Sequence, residues 1–352
     1  MKKKILFITL IISSIILSGC GVKLKKTQSP VLSGVFKSFD RGEVWQHKVV
    51  LAVPGGVSNI KDAHIKIMRV DPQDNNAIYL GTENRGLFYS YNGGEYWQQP
   101  TQLNSGKVND IAIDPRNKCI IYAAYGNKVV KSTDCNRSWF DAYIDPRPKN
   151  VTSIAIDNFN PLNIYISTDF GEIIKSVDGA NTWTTVNRFS KSATQVIVNT
   201  NSTNILYAVV LDQGIFRSDD GGISWNSVSE SIKKNKGIFT NQRLAFDNSV
   251  GDGVYGISKY GIIRSDDGGQ NWEILNLITP PLSTDIYSFA INPKNAKQIY
   301  YGTASTLYRS NDRGVNWNVK KLPSSSAASY ILIDTVNPSI LYLGAKKLEE
   351  KK

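Results

Sequence analysis

The sequence predicts an all-β protein, a seven-bladed β-propeller of four-stranded blades, and three observations carry that expectation. A short phrase, Ser-x-Asp-x-Gly-x-x-Trp, recurs seven times, and the seven tryptophans that end its copies lie 52, 42, 44, 42, 47 and 45 residues apart. That spacing is the length of one four-stranded blade. A second pattern keeps the same period: an apolar run ending in Asp or Asn, a turn, then a run containing Tyr. The composition agrees, since 17 Tyr, 7 Trp and 27 Gly suit short strands and tight turns while Ala and Leu at helical spacing are scarce.

Taken in chain order, residues 1–19 read as an export signal: Lys2, Lys3 and Lys4 precede an apolar run from Ile5 to Leu17, which is short for a bilayer span. The run Leu17-Ser18-Gly19-Cys20 resembles the bacterial lipoprotein box, which implies cleavage before Cys20 and lipid attachment there; the alternative is an uncleaved signal anchor. The protein is then expected to be lipid-anchored to a membrane of the bacterial cell envelope, facing outside the cytoplasm. Residues 20–33 form a lysine-bearing tether, residues 34–345 the propeller, and residues 346–352 a charged tail.

Within the propeller each blade is expected to run from an inner strand, through a second strand with Tyr and a third strand entering the box, to an outer strand beginning near the Trp. The chain opens on a box without a strand pair before it and closes on a strand pair without a box after it. The termini are therefore expected to share one blade, residues 328–345 inside and 34–50 outside, which leaves no open edge.

Each box has a local account. The carboxylate or amide of Asp40, Asn92, Asp134, Asp178, Asp220, Asp267 and Asp312 accepts backbone N–H groups of a tight turn, and the following Gly tolerates a left-handed backbone. Trp45, Trp97, Trp139, Trp183, Trp225, Trp272 and Trp317 cover the hairpins. Seven-fold repetition favours turn-building over catalysis, because an active site is needed once. Asn136 and Ala180 stand where Gly is usual, so those two turns are expected to differ in shape.

The boxes resemble the Asp-box, or bacterial neuraminidase repeat, of sialidases, sortilin-type receptors, xyloglucan-cleaving hydrolases, and photosystem II assembly and stability factor-like propellers. The resemblance covers nearly all of residues 34–345 and is specific for fold rather than activity. Sialidase-like chemistry would require three gripping arginines and an Arg-Ile-Pro motif; the motif is absent, and inner-strand arginines are limited to Arg69 and Arg243. A xyloglucanase would need two carboxylates facing across a cleft, whereas Asp71, Asp114, Asp157, Asp247 and Asp334 follow the blade period and read as turn residues. A glycoside hydrolase is the alternative reading.

Other chemistries fail on counting. Two histidines, His47 and His64, do not make a usual zinc site, and no metal or cofactor is expected. Gly251–Gly256 matches Gly-x-Gly-x-x-Gly but lies between two strands, without the helix that a dinucleotide site requires. The net charge of +11 falls to +3 for residues 34–345 once the tether and tail are set aside, which argues against a nucleic-acid partner. With Cys20 lipidated, Cys119 and Cys135 remain, and antiparallel pairing about residues 126–127 places them opposite each other for a disulfide, the alternative being two free thiols.

The interblade loops carry twelve cations against five carboxylates. A partner-binding face is therefore expected at Lys107, Arg147, Lys149, Arg188, Lys191, Lys233, Lys234, Lys236, Lys320 and Lys321, fitting an acidic protein segment or an anionic glycan. The leading expectation is a monomeric, membrane-tethered, non-catalytic binding or complex-assembly module.

Overall fold

A computed structural model describes residues 32–348 except 236, 241, 242 and 250. The signal, most of the tether including Cys20, Lys236 and the last four residues of the tail lie outside the described residues. Seven sheets follow one another around a common axis, and helical structure among the described residues is confined to two short turns, Thr101–Leu103 and Glu230–Ile232.

Blades are numbered here by their inner strands: Ile65–Asp71 (blade 1), Val108–Ile113 (blade 2), Val151–Ile156 (blade 3), Ala193–Val198 (blade 4), Arg243–Asp247 (blade 5), Ser288–Ile291 (blade 6) and Ala327–Ile333 (blade 7). Blades 2 to 6 are antiparallel four-stranded meanders. Blade 7 is the shared one: Ala327–Ile333 and Leu341–Lys346 are completed by Gly34–Ser38 and Gln46–His47, with Gly34 paired to Ala345 and Ser38 to Leu341. Lys346, assigned from sequence to the tail, ends this last strand opposite Ala327. Blade 1 keeps its fourth position only as a bridge between Tyr89 and Gln98, beyond which the hairpin Val50–Val53/Gly56–Asn59 adds on through a parallel bridge from Leu51 to Trp97.

The apolar core is divided. Seven clusters of buried side chains each sit between two neighbouring blades; the one between blades 3 and 4, for example, joins Tyr165 and Ile173 to Val196 and Leu206. Close approach at these seams depends on absent side chains: a Cβ at Gly344 would lie 2.6 Å from Ile65 Cγ2 of the next blade.

All seven boxes share one hydrogen-bond scheme. The Ser hydroxyl donates to the Asp or Asn Oδ1 at 2.7–3.0 Å and accepts the N–H four residues on, as Ser218 does with Asp220 and Gly222. In every box the Asp or Asn also accepts the N–H four residues on, as Asp220 does from Ser224, and Asp40, Asp178 and Asp220 accept the N–H three residues on as well. Asn136 and Ala180 do not change this shape. They keep the bond to Ser132 and Ser176 by adopting the left-handed backbone themselves, at φ 70° and 75°. The network outweighs the modest cost of a side chain in that region.

The periodic Tyr has a role beyond filling a strand. In four seams its hydroxyl and a cation from the next strand both donate to the carbonyl of a box glycine in the following blade: Tyr122 and Lys131 to Gly179, Tyr165 and Lys175 to Gly221, Tyr207 and Arg217 to Gly268, Tyr342 and Lys37 to Gly93. Each cation also lies 5.1–5.7 Å from the ring centre of its tyrosine. Box tryptophans cross three of these seams in the opposite direction, the indole N–H of Trp97, Trp183 and Trp272 donating to Lys48, Ala142 and Val228 of the preceding blade, and Trp317 does the same to Asn276 across the seam between blades 5 and 6.

Candidate functional site

The inner strands surround a central channel. Its end nearest the interblade loops opens into a cavity of about 660 Å³. Lys66, Arg69, Lys107 and Arg243 line it with Asp110 and Asp169, while Ile67, Ile197, Leu244, Phe246 and Phe289 supply apolar wall. A smaller cavity of about 280 Å³ shares Lys66 and Arg243 and adds Glu83, Lys259, Asp285 and Lys346. These side chains come from the inner strands and from the turns at the same end, so the ring itself assembles the site from all seven blades.

Charge at this mouth is incompletely balanced. Arg69 is fully engaged, donating to Asp110 Oδ1 at 2.8 Å, to the Tyr330 hydroxyl at 2.7 Å and to the Ile111 carbonyl at 3.1 Å. Burial opposes its charge, and Tyr330 and Asp110 outweigh that and hold its pKa above the usual value. Lys346 pairs with Glu83 at 3.0 Å and Lys259 with Asp285 at 3.8 Å. Lys66, Lys107 and Arg243 have no carboxylate within ion-pair distance among the described residues. The Arg243 guanidinium lies 5.5 Å from the ring centre of Tyr330, and the Lys66 ammonium donates to Asn109 Oδ1 at 2.7 Å. Burial, with the neighbouring Lys107 charge, pushes Lys66 down to about 8. Arg243 is also lowered, by burial and by Arg69, yet a guanidinium remains charged. Three cations thus converge with little to neutralise them, an arrangement that favours an anion.

The face expected from sequence divides into parts. Lys107 belongs to the mouth. Lys149 does not face solvent at all: its side chain is 0% exposed, 2.8 Å from Asp145 and in contact with Glu172. Arg147 turns to the same two carboxylates at 3.0 and 3.1 Å, and Arg188 reaches Glu172 at 2.7 Å. Burial opposes ionisation of Asp145 and Glu172, and bonds from these cations outweigh it and hold both below the usual carboxylate range. Lys149 is therefore a structural cation, and Arg147 and Arg188 largely serve the same knot. Lys320 bonds Glu43 in the box of blade 7 at 2.6 Å, and Lys233 reaches Glu230 at 3.3 Å. Lys191, Lys234 and Lys321 remain exposed without a carboxylate partner among the described residues. Counting interblade loops alone missed Glu83 and Glu172, which lie on the hairpins between second and third strands at the same end.

The carboxylates of the larger cavity are already committed. Asp110 accepts from Arg69 and from the N–H of Ile111 and Ile154, and Asp169 accepts both the N–H and the side-chain amide of Asn150. The inner-strand series Asp71, Asp114, Asp157, Asp247 and Asp334 sits at the other end, each accepting the N–H two residues on at 2.8–3.1 Å. Of the three arginines that a sialidase-like site would need, Arg69 and Arg243 reach the channel, and the tyrosine beside them, Tyr330, is bonded to Arg69. Cys119 and Cys135 are joined by a disulfide, tying the turn before the second strand of blade 2, Ile121–Tyr125, to its box turn.

The fold and this axial mouth define a seven-bladed β-propeller with a cationic channel. No protein-family model matches the chain. Among characterised proteins it is similar to a xyloglucanase of a Paenibacillus species, 24% identical over 86% of this chain, and to the xyloglucanase Xgh74A of Acetivibrio thermocellus, 22% identical over 79%. The chain spans only 33% and 37% of those two relatives. Among solved structures it resembles the GH74 xyloglucanase of Xanthomonas campestris, with a TM-score of 0.67 at 14% identity over 88% of this chain and 52% of that one. It also resembles YCF48 bound to D1 peptide, with a TM-score of 0.62 at 18% identity over 82% of this chain and 94% of that one. At these identities the structural likeness establishes the fold.

Proposed function

We propose that this chain is a non-catalytic binding or assembly propeller, tethered outside the cytoplasm through Cys20, whose channel mouth holds an acidic protein segment. The observation that carries this reading is the convergence of Lys66, Lys107 and Arg243 without carboxylate partners among the described residues. The propeller of similar size among the structural relatives, YCF48, is one solved with a peptide. The apolar wall beside the cations suits a peptide, whose side chains can cover it, better than a uniformly polar anionic glycan. Lipid attachment is supported by the run Leu17-Ser18-Gly19-Cys20. The test is calorimetric titration with acidic peptides and with their amide counterparts. Binding of the acidic series that weakens about tenfold in Arg243→Ala supports the reading; equal binding of both series removes it.

The glycoside-hydrolase reading rests on the 24% identity to a xyloglucanase. Against it stand Asp110 and Asp169, the carboxylates of the larger cavity, both held by donors of their own chain. Release of reducing ends from xyloglucan by the purified chain would establish it.

A further inference from the structure

We propose that Lys66 is a reactive amine that condenses with anionic carbonyl compounds, such as keto acids or aldehydic phosphates, entering the channel mouth. Capture of the anion rests on the binding reading above, whereas the reactivity of the amine rests on the immediate surroundings of Lys66 and does not depend on it. Lys66 lines both cavities of the mouth. Most other part-buried lysines are neutralised, as Lys37 and Lys48 are by Glu95 and Lys149 by Asp145. Lys66 instead has one hydrogen bond, to Asn109 Oδ1, and Asn109 is fixed in turn by donating its amide to the Val151 carbonyl at 2.8 Å. The amine is thereby held in place without a counter-ion.

The charged groups around it are Lys107 from the adjoining loop, Arg243 across the mouth, and the carboxylates Asp110 and Glu83, which are bonded to Arg69 and Lys346. Burial and Lys107 bring the amine down to about 8, so that its neutral form is far more populated near neutral pH than that of an ordinary lysine. A neutral amine beside fixed cations is the arrangement that makes lysine a nucleophile toward carbonyl substrates. In the step, the Lys66 nitrogen attacks the carbonyl carbon, the carbonyl oxygen leaves as water after taking up two protons from the nitrogen, and a Schiff base remains. No oxidant or reductant is consumed, and Lys107 and Arg243 hold the anionic group.

The experiment treats the full-length chain with pyridoxal phosphate, an anionic aldehyde, or with pyridoxal, which lacks the phosphate. Adducts are trapped with borohydride and mapped by peptide mass spectrometry. Pyridoxal phosphate is expected to label Lys66 about tenfold ahead of the exposed Lys191, Lys234 and Lys321, and Lys107→Met, with its melting temperature checked, to cut that labelling about tenfold as the amine regains its proton. Labelling spread evenly over the exposed lysines overturns the inference, even if acidic peptides still bind at the mouth. Labelling of Lys66 by both aldehydes alike upholds the reactive amine and instead removes the anion-binding reading.

Discussion

The hydroxyl of Tyr165 in blade 3 donates to the carbonyl of Gly221 in blade 4 across 3.2 Å, and the Lys175 ammonium shares the same acceptor at 3.2 Å. Burial pushes this tyrosine up to about 12, so it remains a donor under all physiological conditions. Tyr165→Phe removes one donor and leaves the carbonyl with Lys175. The expected loss is about 1 kcal/mol, with a larger loss in the double variant with Lys175→Met. Chemical denaturation of the two single variants and the double variant checks it, and strict additivity would show that the two donors act independently.

Lys149 gives a sharper case. Its replacement by Met leaves Asp145 and Glu172 buried with only the outer cations, Arg147 and Arg188, to balance them. Removing one partner of a buried charge pair costs about 3–5 kcal/mol, so Lys149→Met is expected to lower the melting temperature markedly, whereas Lys191→Met at the exposed end should leave it unchanged. Calorimetric melting of both variants measures the difference.

The mouth should respond to pH in a defined direction. Lys66 has its pKa lowered to about 8 by burial and Lys107, with Glu83 and Asp110 acting the other way. It is charged below that value and neutral above it, so affinity for an acidic peptide is expected to fall as pH rises from 7 to 9. A bound anion raises the midpoint, because it favours the charged form. Lys66→Met should flatten this dependence, which peptide titration at several pH values reads directly.

Reduction of the Cys119–Cys135 disulfide, or Cys119→Ser with Cys135→Ser, opens a loop spanning 16 residues. The chain-entropy account gives a loss of about 3 kcal/mol for such a loop. Denaturation with and without reductant tests it, and an unchanged midpoint would mean that the box network of Ser132 and Asp134 holds the turn alone.

Much of the architecture was legible because it is repeated. A residue such as Trp225 or Asp220 returns at each blade period, and its turn chemistry is local enough to read from a nine-residue phrase. The closing blade was legible for the same reason, as a mismatch in phase at the two ends. The function of the recurrent Tyr was not, since the acceptor of Tyr165 belongs to another blade 56 residues away. The mouth was least legible. Lys66, Lys107 and Arg243 occupy positions that are not repeated, and only closure of the ring brings them together. Arginine and lysine counts on the loops also misled at Lys149, because Glu172 lies on a hairpin outside the counted loops.

The pairing of Gly34 with Ala345 and of Ser38 with Leu341 makes the fold a check on its own completeness. The first strand has to wait for the last, and joining ends more than 300 residues apart costs about 5 kcal/mol of chain entropy if nothing between them is ordered. Blades 1 to 6 can shorten that distance by forming first, but none of them can supply the missing neighbour of Val35 and Phe36. A polypeptide truncated before Leu341 would carry its opening strand as a bare apolar edge, the form that quality-control proteases and chaperones recognise. The ring therefore distinguishes a finished chain from an unfinished one at a single seam.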